Sequence, residues 1–179
     1  KGGDVLEAAH KLKYVVFDKT GTITKGKPEA TDVVPAKGVT EKEFLTLAGS
    51  LEKNSEHPLA EAIVQKGKEE KVSFKKVSGF QAVVGRGVKA KVAGKEYYLG
   101  NLRLMKERKI SLTGSASTIE KMEREGKTVM ILAEKKKVLG LIAVADEIKA
   151  DSSQAVAALT KMGIVSYLIT GDNERTAKA

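Results

Sequence analysis

Tyr14-Val15-Val16-Phe17-Asp18-Lys19-Thr20-Gly21-Thr22 is a short apolar run that ends in an aspartate and gives way to a polar, glycine-containing loop. A run of β-branched and aromatic residues reads as a buried strand. In open α/β sheets, ligands bind beyond the carboxyl ends of such strands, which puts Asp18 where chemistry is expected. A carboxylate there can act as a nucleophile and form an acyl-phosphate. Thr20, Gly21 and Thr22 would offer hydroxyls and backbone N–H groups to phosphate oxygens. An Asp at a strand end is also often only a turn former or a helix cap. A P-loop pattern overlaps the same loop, from Gly21 to Pro28, and fails at its last position. Pro28 has neither a hydroxyl for a metal nor an N–H for a phosphate.

The 179 residues allow one large domain or two small ones. Apolar residues make up 41% and aromatics only 4%, so a core would rest on Val, Ile, Leu and Ala. With 32 basic and 23 acidic residues the net charge is +9. That charge alone would suggest nucleic acid. The lysines are scattered and aromatics for base stacking are scarce, so no nucleic-acid partner is expected. Cysteine is absent, which removes disulfides and thiolate metal sites. No apolar run approaches the ~20 residues that cross a bilayer, and a soluble fragment is expected.

Along the chain, residues 4–10 read as a helix, and Lys25-Gly26-Lys27-Pro28 reads as a break and hinge. Strands are expected at 30–34, 72–77, 81–84, 88–92, 97–99, 128–133, 138–145 and 164–169. Helices are expected at 40–49, from Pro58, at 102–106, 117–125 and 155–162. Pro58 suits a first helical position, so Glu56 and His57 sit at a helix mouth. A neutral imidazole there can stack on a purine, and a carboxylate can accept an amino N–H. The plain alternative is that His57 caps the helix. Gly85-Arg86-Gly87-Val88-Lys89-Ala90 fits a dinucleotide fingerprint, but the following residues alternate with a period of two, so a hairpin turn replaces the required helix. Asn101 makes a good N-cap, and so does Asp146. Thr170-Gly171-Asp172-Asn173 repeats the opening logic: a strand, then hydroxyl, glycine and carboxylate.

Asp18 to Thr24 resembles, without a gap, the phosphorylation motif of P-type ATPases. Ser55-Glu56-His57-Pro58-Leu59-Ala60 is similar to the His-Pro signature of the heavy-metal-transporting subclass, in which Glu and His contact adenine. Gly85 and Gly87 resemble that subclass's Gly-x-Gly-Val, and Gly100-Asn101 its Gly-Asn pair near the adenine. Asp146 to Ala150 resembles its return hinge, with Ala150 where Pro is usual. Thr170-Gly171-Asp172 resembles the second phosphate motif of the haloacid dehalogenase superfamily.

The resemblance implies an α/β chain. Its parts are an incomplete Rossmann-like phosphorylation domain (residues 1–27 and 145–179) and an inserted α+β antiparallel-sheet nucleotide-binding domain (28–144). It implies ATP and Mg²⁺ as cofactors. Asp18, Lys19, Thr20, Thr170 and Asp172 are the expected catalytic set. Glu56, His57, Gly85, Gly87, Gly100, Asn101 and Asp146 are the expected nucleotide contacts, and Asp18 and Thr20 the Mg²⁺ contacts. Hydrolytic relatives carry an acid/base Asp two residues after the nucleophile. Thr20 stands there, so the acyl-phosphate would persist, as a pump requires. The expected function is the cytoplasmic ATP-binding and phosphorylation piece of a heavy-metal pump. Its partners are ATP or ADP and the rest of that pump, namely membrane helices and an actuator domain. Copper is the expected cargo, bound elsewhere, with zinc, cadmium, lead and cobalt open. The alternative is a soluble phosphatase or phosphotransferase of the same superfamily.

Overall fold

The computed structural model describes residues 12–171 and 174–178. The expected helix at 4–10 and the expected site residue Asp172 lie outside them. The elements in order are β1 (Tyr14–Asp18), a tight turn (Lys19–Ile23), β2 (Thr24–Pro35), α1 (Glu41–Glu52), α2 (Pro58–Glu69), β3 (Val77–Val83), β4 (Gly87–Val92) and β5 (Lys95–Gly100). Then come α3 (Leu102–Glu107), α4 (Ala116–Arg124), β6 (Thr128–Glu134), β7 (Lys137–Ile148), α5 (Ser152–Lys161), β8 (Val165–Ile169) and α6 (Glu174–Lys178). Two compact units divide them: residues up to Lys27 with those from Asp146, and Pro28–Ala145 with α6.

In the first unit β1 and β8 pair in parallel, with Tyr14 opposite Val165 and Asp18 opposite Ile169. Parallel strands need a long crossover between them, and here Pro28–Ala145 of the second unit lies within it. Helix α5 precedes β8 and is followed by Gly163 at φ +75°.

The second unit is a six-stranded sheet of order β2-β7-β6-β5-β4-β3. The four pairings from β3 to β7 are antiparallel. Because side chains alternate across a sheet, neighbours part company. Val88, Leu99, Leu132 and Ile142 join Phe44, Leu45, Leu51 and Ile63 of α1 and α2 in one cluster. Tyr98, Ile131, Leu141 and Ala143 join Leu104, Met105, Ile119 and Met122 of α3 and α4 in another. Helices thus cover both faces, which is why β6 and β7 read as continuous apolar runs.

Helix α1 starts at a capping box: the Thr40 hydroxyl accepts from Glu43 N, and the Glu43 carboxylate accepts from Thr40 N. It runs three residues past its expected end at Gly49. That glycine is a packing site and not a terminator, since a Cβ on it would meet the Phe74 ring at 2.3 Å. Gly67 of α2 serves the same ring. Phe74 is thereby turned toward the helices, and the strand expected at 72–77 begins only at Val77.

Two further expectations change. The chain does not break at Lys25–Pro28: β2 runs through it, with Gly26 at φ +72°. The expected grouping of 145–179 also differs at its end. Helix α6 clusters with the second unit, where the Thr176 hydroxyl donates to Lys127 O at 3.0 Å.

Candidate functional site

Asp18 is the last residue of β1 and is exposed. The register that pairs it with Ile169 puts Thr170 one residue beyond, at the same carboxyl end of the same strand pair. The two sequence-predicted phosphate residues, 152 positions apart, are therefore brought together by a single ladder.

The loop after Asp18 is a type II turn. Thr20 lies at φ −74°, ψ 121° and Gly21 at φ 77°, ψ −12°, the values that put glycine at the third turn position. Four groups hold it. Thr24, fully buried, accepts from Gly21 N at 3.2 Å through its hydroxyl and donates to Asp146 Oδ2 at 2.6 Å. Lys149 Nζ donates to Gly21 O at 2.7 Å. The Ser152 hydroxyl and the Lys149 N–H both donate to Ile23 O. Gly26 packs on Gly21, where a Cβ would come within 3.1 Å of the Gly21 Cα.

Asp146, expected among the nucleotide contacts, is engaged here with the start of β2. Besides Thr24, its carboxylate accepts from Gly26 N and Lys27 N, each at 3.1 Å.

In the second unit His57 is the N-cap of α2, and its Nδ1 accepts from Leu59 N at 3.2 Å. A ring that accepts at Nδ1 is neutral with its proton on Nε2, and the exposed edge presents that N–H. Glu56 is exposed. Sequence reasoning passed over Glu52, the last residue of α1. It is 3% exposed, and burial raises its carboxyl from 4.5 to about 7, against the Ser55 hydrogen bond that favours the charged form. A hollow of about 360 Å³ is lined by Ser50, Lys53, Asn54 and Lys75 among others.

The glycine turn divides by role. Gly85, at φ +66°, faces open space. Gly87 does not: at φ +140° a Cβ on it would lie 2.2 Å from Leu99 O. Gly100, its register partner, would clash with Arg86 O at 2.3 Å. Gly87 and Gly100 thus let β4 and β5 approach, and only Gly85 keeps bare backbone for a ligand. Asn101 is occupied as well. Its oxygen caps α3 at Arg103 N and Leu104 N, and its Nδ2 donates to Gly85 O at 2.9 Å. Gly87, Gly100 and Asn101, expected as nucleotide contacts, also support the turn.

A sequence model described as haloacid dehalogenase-like hydrolase matches residues 12–179. The chain belongs to the haloacid dehalogenase-like hydrolases. Within that family it is similar to metal-transporting P-type ATPases. It is 45% identical over 179 residues to a copper-exporting P-type ATPase of Staphylococcus haemolyticus, covering all of this chain and 22% of that protein. It is 40% identical to a cadmium-transporting ATPase of Staphylococcus aureus, covering 25% of it. The chain thus spans about a quarter of the length of these relatives. Among solved structures, a zinc-transporting PIB-type ATPase in an E2·Pi state superposes with a TM-score of 0.71 at 37% identity, over all of this chain and 29% of that one. The isolated N-domain of a copper-transporting P-type ATPase matches with a TM-score of 0.54 at 26% identity, over 65% of this chain and 99% of that one.

The expected family and fold class both stand. Among the described residues no group of three His, Asp or Glu side chains is placed to hold a metal, and no helix is long and apolar enough to cross a membrane.

Proposed function

We propose that this chain is the nucleotide-binding and phosphate-accepting part of a metal-ion-transporting P-type ATPase, and that ATP phosphorylates Asp18. The observation that carries this reading is the parallel ladder that sets Asp18 and Thr170 at one strand end, on a chain whose similar proteins are metal-transporting ATPases.

Phosphoryl transfer is mainly positioning and charge neutralisation. The Asp18 carboxylate attacks the γ-phosphorus of ATP, the bond from that phosphorus to the β–γ bridging oxygen breaks, and ADP leaves an acyl-phosphate on Asp18. The type II turn presents its backbone N–H groups, and the Thr170 hydroxyl donates to the moving phosphoryl. Lys19 adds positive charge beside the nucleophile. Thr20 supplies no carboxylate to activate water, so the acyl-phosphate lasts long enough to be coupled to transport. Asp172 would act beside Thr170.

Mg²⁺ fits the donor set: a single exposed carboxylate and the turn's carbonyl at Thr20 are hard oxygens, and Mg²⁺ needs few protein ligands beside phosphate and water. When bound it would neutralise phosphate charge.

On the purine side the His57 ring stacks and Gly85 allows close approach. Glu56, exposed at the mouth of α2, would accept an amino N–H of the purine. Residues 1–27 with 145–179 would serve phosphorylation, and 28–144 nucleotide binding. Copper is the favoured cargo, carried by parts of the pump outside this sequence and on the cytoplasmic side of its membrane helices.

Titrating ATP calorimetrically into wild type and His57→Ala tests the reading. Binding that weakens about tenfold in the variant, as loss of a stacked ring of about 1–1.5 kcal/mol predicts, supports it. Unchanged binding rejects it.

A further inference from the structure

Arg86 stands at the centre of the glycine turn, and its side chain has a defined partner. Its Nη1 donates to Glu107 Oε2 at 2.6 Å, with the two side chains 44% and 48% exposed. The backbone below is fixed from three directions. Arg86 N donates to Val83 O at 2.9 Å, Asn101 N donates to Arg86 O at 2.8 Å, and the Asn101 side chain holds Gly85 O. The turn cannot easily shift, because Gly87 and Gly100 leave no slack between β4 and β5. The guanidinium is therefore delivered to a defined place beside Gly85.

Glu107 is the one acid in the segment 102–109, among Arg103, Lys106, Arg108 and Lys109. It is a carboxylate in a cationic setting, paired with the planar donor fork that suits carboxylates and phosphates alike. An exposed pair of this kind contributes little stability. A polyphosphate carries more charge and more oxygens, and the surrounding cations favour it.

The geometry points to Arg86 as a phosphate-binding residue whose guanidinium Glu107 holds in place until the polyphosphate of a nucleotide displaces that carboxylate. This rests on the nucleotide-binding reading of the same turn. Glu107 acts as an internal stand-in for the ligand anion. It keeps Arg86 ordered when the site is empty and lowers affinity for anionic nucleotides by competing with them. Arg86 has no part in holding the purine.

The test uses the full 179-residue chain, with ADP and adenosine titrated separately by calorimetry into wild type, Arg86→Ala, Arg86→Lys and Glu107→Gln. ADP affinity is expected to fall about three- to tenfold in Arg86→Ala and to recover partly in Arg86→Lys. It is expected to rise about two- to fivefold in Glu107→Gln. Adenosine affinity is expected to stay within about twofold throughout, because the substitutions leave the purine contacts alone. The proposal is overturned if ADP affinity is the same in all four proteins. It is also overturned if ADP and adenosine weaken by one common factor in Arg86→Ala, the sign of a turn that has merely lost its shape. A wild-type chain that binds neither ligand rejects the nucleotide reading itself, and a chain that binds both with no Arg86 effect rejects only the latch.

Discussion

The two units of this chain are held together by different physics. In the second, a six-stranded sheet is covered by helices on both faces, and Phe44, Leu45, Leu51, Ile63, Leu99, Ile131 and Ile142 are fully buried. In the first, Ile164 is the only buried apolar side chain among the described residues, while Tyr14, Val16, Tyr167 and Ile169 are each more than half exposed. What orders the first unit is polar: the cluster of Thr24, Asp146, Lys149 and Ser152 around the turn after Asp18. The lesson is that the loop after Asp18 is shaped by hydrogen bonds, while His57 and the Gly85 turn ride on a hydrophobic core. Parallel strands ordinarily have both faces covered, so the bare face of β1 and β8 marks the part of the fold that draws least on apolar burial.

The sharpest way to break this contrast is to truncate one apolar side chain in each unit. Phe44→Ala should cost about 3–5 kcal/mol in urea unfolding, because it empties a closed core. Val16→Ala should stay within about 0.5 kcal/mol, since its side chain already meets solvent. Comparable losses would mean that the first unit has a core of its own.

The next effect belongs to the second unit and reads its buried acid. Glu52 is raised from 4.5 to about 7 by burial. A carboxyl whose folded pKa lies above its unfolded one favours folding while protonated. Stability is therefore full below about 4.5 and declines as pH climbs to about 7, and above that the loss is complete. The linkage amounts to about 3 kcal/mol. Glu52→Gln should flatten that decline, and thermal unfolding followed from pH 4.5 to 8 would check it. If wild type and variant lose stability in parallel, Glu52 is charged and satisfied throughout.

Much of this was legible beforehand, for reasons that can be named. The β1 and β8 strands announced themselves by apolar runs that stop at Asp18 and Thr170. The α2 start followed from His57-Pro58, and the α1 start from Thr40 and Glu43. What the sequence concealed depends on distant neighbours. Gly49 reads as a terminator, and only the Phe74 ring seated against it shows why the helix continues. Gly87, Gly100 and Asn101 read as ligand contacts through the family resemblance. That they also bring strand against strand and side chain against turn depends on the fold. Glu52 was hidden because burial, which makes it unusual, is not a property of its neighbours in sequence. Thr24, Lys149 and Ser152 were missed for a similar reason. Their partners lie across 122 to 129 residues, apart from Thr24's local bond to Gly21.

The smallest effect expected here tests the polar side of the comparison. Asp146 gathers Thr24, Gly26 and Lys27 on one carboxylate, and two of the three passages of the chain between units lie in the strands β2 and β7. Losing that carboxylate leaves the buried Thr24 hydroxyl only Lys19 O, at 3.0 Å, to donate to and strands two amide donors. The amides can turn to water, so the cost should be about 1–2 kcal/mol, less than for a fully buried charged acceptor. Asp146→Ala should speed hydrogen exchange at the Gly26 and Lys27 amides about tenfold, while amides of β5 and β6 keep their protection. Asp146→Asn should restore part of it, since an amide oxygen still accepts but carries no charge. If exchange quickens equally in β6, the polar cluster is continuous with the core and the two units share one stability. If it quickens only at the start of β2, the phosphate loop is shaped by its own polar cluster.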